Sequence, residues 1–365
     1  MMKHELQVIA GLGCGILLIG FSLLGFAEGW RIAGQWLLQA GLIGGFVWLY
    51  AWRRLGLNRA GVGIPLYTNL GWGNRLTLLR GGLIALTGGF LFLNINVLLP
   101  AILYTLAALL DRLDGYAARS SKQVSLLGNE LDITFDALGL LVAPLLAISL
   151  GKIHGSYLLL SIAYYVYQWA LQRRRNRGLV VYALPPNPLR RTLAGFQMGF
   201  VAVALWPVLN PQLTIIASVA FMLPVLFGFT VDWGVVSGRL PPQAISNLDD
   251  WSRRFFQLGL RLLLALALLL FLAARDFGLF PLADITDYLS ALGLLFSASL
   301  ILLGFAGRFG ALILIILLGW RYPIGDITIW GSLLIFTTSW ILLLGTGRFS
   351  LWQWDDDWVQ RYDGT

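Results

Sequence analysis

Long apolar runs separated by short polar clusters dominate the chain. A helix needs about 20 apolar residues to cross the hydrocarbon core of a bilayer, and that length serves as the ruler. It predicts about ten or eleven crossings, over 6–27, 32–52, 79–95, 97–118, 129–150, 155–172, 192–209, 212–234, 256–273, 288–306 and 309–346. The last run forms one or two segments, depending on a break at Arg321-Tyr322-Pro323. The expected fold class is an all-α polytopic membrane protein, organised in blocks. Residues 1–66 form an N-terminal transmembrane hairpin whose spans hold no polar residue that calls for chemistry. Residues 67–240 form a six-crossing core containing the concentrated intramembrane acid. A cytoplasmic linker at 241–254, opened by Pro241-Pro242 and carrying Asp249 and Asp250, leads to a C-terminal module of about four short helices at 255–365.

Composition agrees with this class. Hydrophobic residues make up 58% of the chain and charged residues 12%, and the mean hydropathy is +0.76, which excludes an ordinary soluble domain. The net charge of +8 points to the bilayer rather than to nucleic acid, because the basic residues segregate to one side. With Arg53, Arg54 and Arg59 placed in the cytoplasm, alternation puts Arg75, Arg80, Arg112, Arg119, Lys122, Arg173, Arg174, Arg175, Arg177, Arg190, Arg191, Arg239, Arg253 and Arg254 there too. The other side receives Arg31, Lys152, Arg275 and Arg321. Cys14 is alone and can form no intrachain disulfide. The start of the chain imitates a signal peptide but lacks a small-residue cleavage site, so a retained helix is expected. Tryptophans such as Trp30, Trp48, Trp52 and Trp320 fit interfacial belts.

The candidate chemistry lies in four carboxylates, Asp111, Asp114, Asp132 and Asp136, each within an expected crossing. A charge in such a segment costs about 2.5–3.5 kcal/mol on insertion scales, and a hard divalent cation is a physical reason to keep it there. Asp111 and Asp114 are three residues apart and Asp132 and Asp136 four, so each pair shares a helix face. The connection between them is short and polar, which makes the helices antiparallel neighbours and brings the four acids to one depth near the cytoplasmic face. Gly115 and Ala118 give small walls, and Arg119 offers a fork suited to a phosphate oxygen. Two divalent cations, small walls and an arginine suit phosphoryl transfer. The competing class is a cation-conducting or transporting protein using the same aspartates as an ion site; acids spread over several depths would favour it. A core that has become a scaffold for the C-terminal module is a third reading, opposed by the complete set of acids.

Written out, Asp111 to Asp136 read D-x-x-D-G-x-x-A-R, eight residues, G-x-x-x-D-x-x-x-D. This resembles the signature of the CDP-alcohol phosphotransferase (CDP-alcohol phosphatidyltransferase) family, with no position missing. Asn74-Arg75-Leu76-Thr77-Leu78-Leu79-Arg80 is similar to the N-x-x-T-x-x-R start of that family's first core helix. The resemblance covers about 70–238 and implies a six-helix core, here with two extra N-terminal helices. It implies that Asp111, Asp114 and Asp132 are ligands of two divalent cations, Mg2+ or Mn2+, and that Asp136 stands near the metals as the general base. Gly115, Ala118 and Arg119 would line the CDP pocket, and Gly128 would allow close packing. Asn74, Thr77 and Arg80 would approach the nucleotide or its phosphates. The implied reaction moves a substituted phosphoryl group from a CDP-alcohol, with CDP-diacylglycerol favoured over a soluble donor, to an acceptor hydroxyl with release of CMP.

The apolar runs and the asymmetry of basic residues lead to a multi-pass protein, expected in a bacterial inner membrane, with the site facing the cytoplasm, and the resemblance implies pairing as a homodimer. Arg173, Arg174, Arg175, Arg177, Arg190 and Arg191 suggest a phosphorylated polyol as acceptor, although helix anchoring and lipid headgroups also account for such residues. Arg191-Thr192 with Gln197 is similar to the basic, Thr and Gln positions of phosphatidylglycerolphosphate synthases, at a different spacing. At the far end, Gly345-Thr346-Gly347-Arg348-Phe349-Ser350-Leu351 resembles the terminal G-x-G-x-x-S-L of DoxX-like small membrane proteins, over about 255–365.

Overall fold

The computed structural model describes residues 1–93, 95, 98–273, 285–321 and 327–360. Among these, every regular element is a helix. In chain order they are α1 (Met2–Glu28), α2 (Trp30–Arg54), α3 (Gly71–Gly88), α4 (Leu98–Ser120), α5 (Leu126–Ser149), α6 (Leu158–Asn176) and α7 (Pro188–Ala204). There follow α8 (Pro211–Val236), α9 (Gln243–Trp251), α10 (Gln257–Ala273), α11 (Ile285–Leu303), α12 (Gly307–Arg321), α13 (Ile329–Leu344) and α14 (Trp354–Gln360). Among the described residues, five helical stretches are long and apolar enough to cross a membrane: α1, α2, α5, α8 and the continuous run Gln243–Phe271. The protein is an all-helical polytopic membrane protein.

Several boundaries differ from the hydropathy ruler, each for a physical reason. The run expected at 79–95 belongs to a helix that starts at Gly71. Its first turns carry Asn74, Thr77 and Arg80, which apolar counting rejects but which are all buried, Thr77 and Arg80 bonded to neighbouring helices and Asn74 to the connector before α3. The segment 241–254 is helical: α9 runs through a π-turn, Ser252–Phe256, into α10, aided by the Asp249–Arg253 pair at 3.0 Å, one helical turn apart. The run 309–346 is two helices, α12 and α13. Of its expected break, Tyr322 and Pro323 lie outside the described residues, as does Arg275.

The chain divides into two compact units. The first comprises Met1–Gly151 with Met198–Pro207. Here α1 and α2 form a hairpin about Gly29, whose φ of 96° suits the residue without a Cβ. The hairpin shares one apolar core with α3 and α5: Leu6, Val47, Ala51, Leu55, Leu70, Leu78, Leu127, Leu131 and Phe135. Gly81 permits that approach, because a Cβ there would lie 2.8 Å from Val47 and 2.9 Å from Phe135. Polar contacts tie one end of the hairpin to the same helices. Glu5 pairs with Arg75 at 2.9 Å, Arg54 pairs with Glu130 at 3.4 Å, and the Leu126 N–H donates to the Arg59 carbonyl at 2.9 Å.

The second unit comprises Lys152–Gln197 with Val208–Thr365. Within it, Trp340 on α13 donates to the Ala220 carbonyl of α8 at 2.8 Å. The carbonyls left open at the end of α13 are met by side chains. Gln257 bonds Leu344 O at 2.8 Å and Arg308 bonds Leu342 O and Leu343 O at 2.9 and 2.8 Å, while the buried Arg261 bonds Phe349 O in the turn that follows, at 2.7 Å, and Leu302 O at the end of α11. The glycines of the Gly345-Thr346-Gly347 stretch follow from this turn. Gly347 has φ 83°, and a Cβ there would lie 2.6 Å from the Arg253 carbonyl.

Candidate active site

The acidic helices are brought together by α3. Gly73 lets α4 approach so closely that a Cβ there would stand 2.7 Å from that of Ala118. Gly128 does the same for α5, where a Cβ would stand 2.7 Å from the Asn74 amide oxygen. At the start of α5, Ser125 is the N-cap, its hydroxyl accepting from the Gly128 N–H at 3.0 Å. Asn74 reinforces the junction: its amide nitrogen donates to the Leu70 carbonyl at 2.7 Å and its amide oxygen accepts from the Ser125 hydroxyl at 3.2 Å.

With the helices so held, Arg80 projects from α3 between the two pairs of aspartates. One guanidinium nitrogen, Nη1, pairs with Asp111 Oδ1 and faces Asp114 Oδ2 at 3.7 Å, both on α4. The other, Nη2, lies 2.8 Å from Asp132 Oδ1 and 3.2 Å from Asp136 Oδ1, both on α5. The Arg80 side chain is 1% exposed, whereas those of Asp132 and Asp136 are 46% and 40% exposed. The cluster thus has a buried cationic floor and an open anionic rim. Carboxylate oxygens of Asp111, Asp132 and Asp136 all lie within 4.8 Å of one another, an all-oxygen donor set of the kind that hard divalent cations prefer. Asp136 Oδ1 faces the shared Arg80 guanidinium, at 3.2 Å, and its side chain remains open to a cation. These residues fit a divalent metal.

Asp114 is set apart from that trio. It is buried, and its Oδ2 accepts from Thr77 Oγ1 at 2.9 Å. Arg119 is exposed at the end of α4 and folds back along its own helix, its Nη1 3.3 Å from where a Gly115 Cβ would be. The structure therefore gathers Arg80 and Thr77 with the four aspartates, gives Asn74, Gly128 and Ala118 to the helix junctions, and leaves Gly115 and Arg119 on the open side. Among the downstream residues, Arg190 pairs with Asp232 at 2.7 Å, and Arg174 donates to the Val180 carbonyl at 2.9 Å. Gln197 is internal, accepting from Tyr157 and donating to the Phe221 carbonyl at 2.7 Å.

Two residues at the site escape sequence reasoning. Tyr104 lies two turns before Asp111 on α4, 1% exposed, its hydroxyl buried without a hydrogen-bond partner among the described residues. Asn58, from the connector after the hairpin, accepts from the Asn74 amide at 2.9 Å. Ser125 was readable as a capping residue before an apolar run; Asn58 and Tyr104 sit in no such pattern.

Residues 72–230 match the family model described as CDP-alcohol phosphatidyltransferase. That segment is a CDP-alcohol phosphatidyltransferase domain, and it contains the whole acidic cluster together with Arg80. Members of the family are CDP-alcohol phosphotransferases, enzymes that transfer a phosphatidyl group from a CDP-alcohol to a hydroxyl acceptor and use a divalent metal. No curated protein and no solved structure matches the chain.

Proposed function

We propose that the cluster of Asp111, Asp114, Asp132, Asp136 and Arg80 transfers a phosphatidyl group from CDP-diacylglycerol to an acceptor hydroxyl, releasing CMP, at the cytoplasmic face of a bacterial inner membrane. The observation that carries this reading is the convergence of three carboxylates from two helices within 4.8 Å, above one buried guanidinium. Four carboxylates against one guanidinium leave an excess of negative charge, which suits two divalent cations, Mg2+ or Mn2+. Asp111, Asp132 and Asp136 would hold them, with Asp114 completing the set from beneath. Bound there, the ions would neutralise phosphate oxygens and make the phosphorus more electrophilic.

The protein's own groups supply the rest. Arg80 fixes the aspartates to one another, and Thr77 orients Asp114. Arg119, exposed beside the open wall left by Gly115, meets a donor phosphate oxygen. Asp136 takes the proton of the acceptor hydroxyl as the new O–P bond forms. The bond from that phosphorus to the CMP oxygen breaks, and CMP leaves with the electron pair. A base in this role contributes about 10²–10⁴-fold. A lipid donor is favoured by Leu109, Leu113 and Tyr116, exposed on the outer side of α4 beside the acids. The buried position of Arg80 tells against an ion pathway, since a fixed cation at the centre of the acids repels ions in transit.

The test is CMP release by the purified protein from CDP-diacylglycerol, with Mg2+ or Mn2+ and a pool of glycerol 3-phosphate, inositol phosphate, serine and ethanolamine. Mass spectrometry of the lipid product names the headgroup. Metal-dependent release that disappears in Asp136→Asn is the expected result, and no release with any acceptor overturns the proposal.

A further inference from the structure

The hairpin and its connector precede the 72–230 domain, yet one of their residues reaches the junction beneath the acids. Asn58 is 0% exposed. Its amide nitrogen donates to the Asn69 carbonyl at 2.7 Å and contacts Met2 Sδ at 2.9 Å. Its amide oxygen accepts from Asn74 Nδ2 at 2.9 Å. The Asn58 backbone is committed as well, with its carbonyl accepting from the Tyr67 N–H at 2.9 Å. One side chain therefore joins the start of α1, the 58–69 connector and α3.

From Asn74 the chain of bonds continues. The Ser125 hydroxyl donates to Asn74 Oδ1 at 3.2 Å, and it caps the first turn of α5 by accepting from the Gly128 N–H. Asn74 and Thr77 stand three residues apart on α3 and Thr77 and Arg80 another three, so a shift at Asn74 is carried to both. On α5, Asp132 is one turn past Gly128. The hydrogen bonds that fix Asn74 thus set where Arg80 and Thr77 meet the aspartates.

We propose that Asn58 is a positioning residue for the acidic site, and that the N-terminal hairpin is in this way a working part of the catalytic unit rather than an appended anchor. Asn58 touches neither metal nor substrate. It locks the Asn74 amide, and through it the relative register of α3 and α5, so that the carboxylates of Asp111, Asp132 and Asp136 converge. A fully buried, fully bonded polar lattice specifies one geometry, because any slip leaves donors and acceptors unpaired in a low dielectric. Loss of about an ångström at such a site is worth about 10²-fold in rate. This inference rests on the metal-dependent reading given above.

The experiment replaces Asn58 with leucine, of similar size but unable to accept from Asn74, in the full-length protein. Mn2+ binding is followed by electron paramagnetic resonance, together with CMP release and thermal unfolding. Expected are Mn2+ affinity weakened about 10-fold, a lowered kcat partly restored by excess metal, and little change in donor KM, on the scale of support lost around metal ligands. Arg54→Gln removes the exposed pair with Glu130 and the stacking of the guanidinium on Tyr50, both away from the Asn58–Asn74 bond, and keeps wild-type values. Mn2+ affinity and turnover per folded molecule equal to wild type in Asn58→Leu overturn the proposal, whatever happens to stability. If the leucine variant does not fold, Asn58→Ser, too short to reach Asn74, is read in the same way. Because Mn2+ binding is measured directly, failure of this inference is separable from failure of the proposed transfer. In the latter case wild type binds metal but releases no CMP.

Discussion

Arg80 offers the sharpest test of how the acidic site is held. Its two terminal nitrogens divide the work, Nη1 facing Asp111 and Asp114 on α4 and Nη2 facing Asp132 and Asp136 on α5. Arg80→Met removes the only cation paired with these four acids among the described residues. Removing one partner of a buried ion pair costs about 3–5 kcal/mol. Asp132 and Asp136 are 46% and 40% exposed and keep part of their hydration, which places the loss near the lower end, about 3 kcal/mol. At about 1–2 °C per kcal/mol for a chain of 365 residues, the unfolding temperature in EDTA falls by about 3–6 °C. Arg80→Lys keeps a charge but not the planar fork, and one ammonium cannot place separate donors against two helices; it falls between wild type and the methionine variant.

Saturating Mg2+ then separates the explanations. A ligand that binds only the folded state at 100 times its Kd contributes about 2.7 kcal/mol, and without Arg80 the acids hold a larger excess of negative charge. Mg2+ therefore raises the unfolding temperature of Arg80→Met more than that of wild type, in differential scanning fluorimetry of the detergent-solubilised protein. An Arg80→Met protein that unfolds within ~2 °C of wild type in EDTA, or gains no more from Mg2+ than wild type does, refutes the argument that Arg80 neutralises the cluster.

Other substitutions probe separate links. Asp136→Asn lowers kcat for CMP release by about 10²–10⁴-fold if Asp136 is the base, while circular dichroism stays that of wild type. Gly73→Leu drives a side chain into Ala118 and the Asp114 carbonyl; overpacking of this kind costs about 1–3 kcal/mol and separates α3 from α4, so stability and activity fall together. Tyr104→Phe removes a buried hydroxyl with no hydrogen-bond partner among the described residues. An unmade bond of that kind costs about 1–3 kcal/mol, so the variant unfolds at a higher temperature than wild type, and an unchanged or lower midpoint contradicts that account. Gly347→Ala, at φ 83° and 2.6 Å from a carbonyl, lowers the unfolding temperature while leaving CMP release per folded molecule intact.

Much of the site was readable because it is local. Asp111 with Asp114 and Asp132 with Asp136 fall on shared faces by helical spacing alone, and the short connection between α4 and α5 makes their helices neighbours. What spacing could not supply was the position of each residue across helices. Asn74, Thr77 and Arg80 sit at one regular interval, yet Arg80 enters the cluster, Thr77 bonds Asp114, and Asn74 turns to Asn58 and Ser125. Those fates depend on which neighbour each face of α3 meets. The hydropathy ruler placed the start of α3 late for a related reason: its polar residues are satisfied by partners distant in sequence.

The all-helical membrane class and the acid motif could be read from the chain alone, since they depend on composition and on contacts within a turn or two; the roughly ten or eleven expected crossings compare with five described helical stretches long and apolar enough to span. It took the packed helices to put one arginine beneath four aspartates, to set Asp114 apart from the trio that can share a cation, and to bring a connector asparagine from outside the matched domain onto Asn74. Such contacts join residues between 16 and 56 positions apart. A buried hydrogen bond or ion pair over that separation exists only once the helices have packed, so no local pattern in the chain records it.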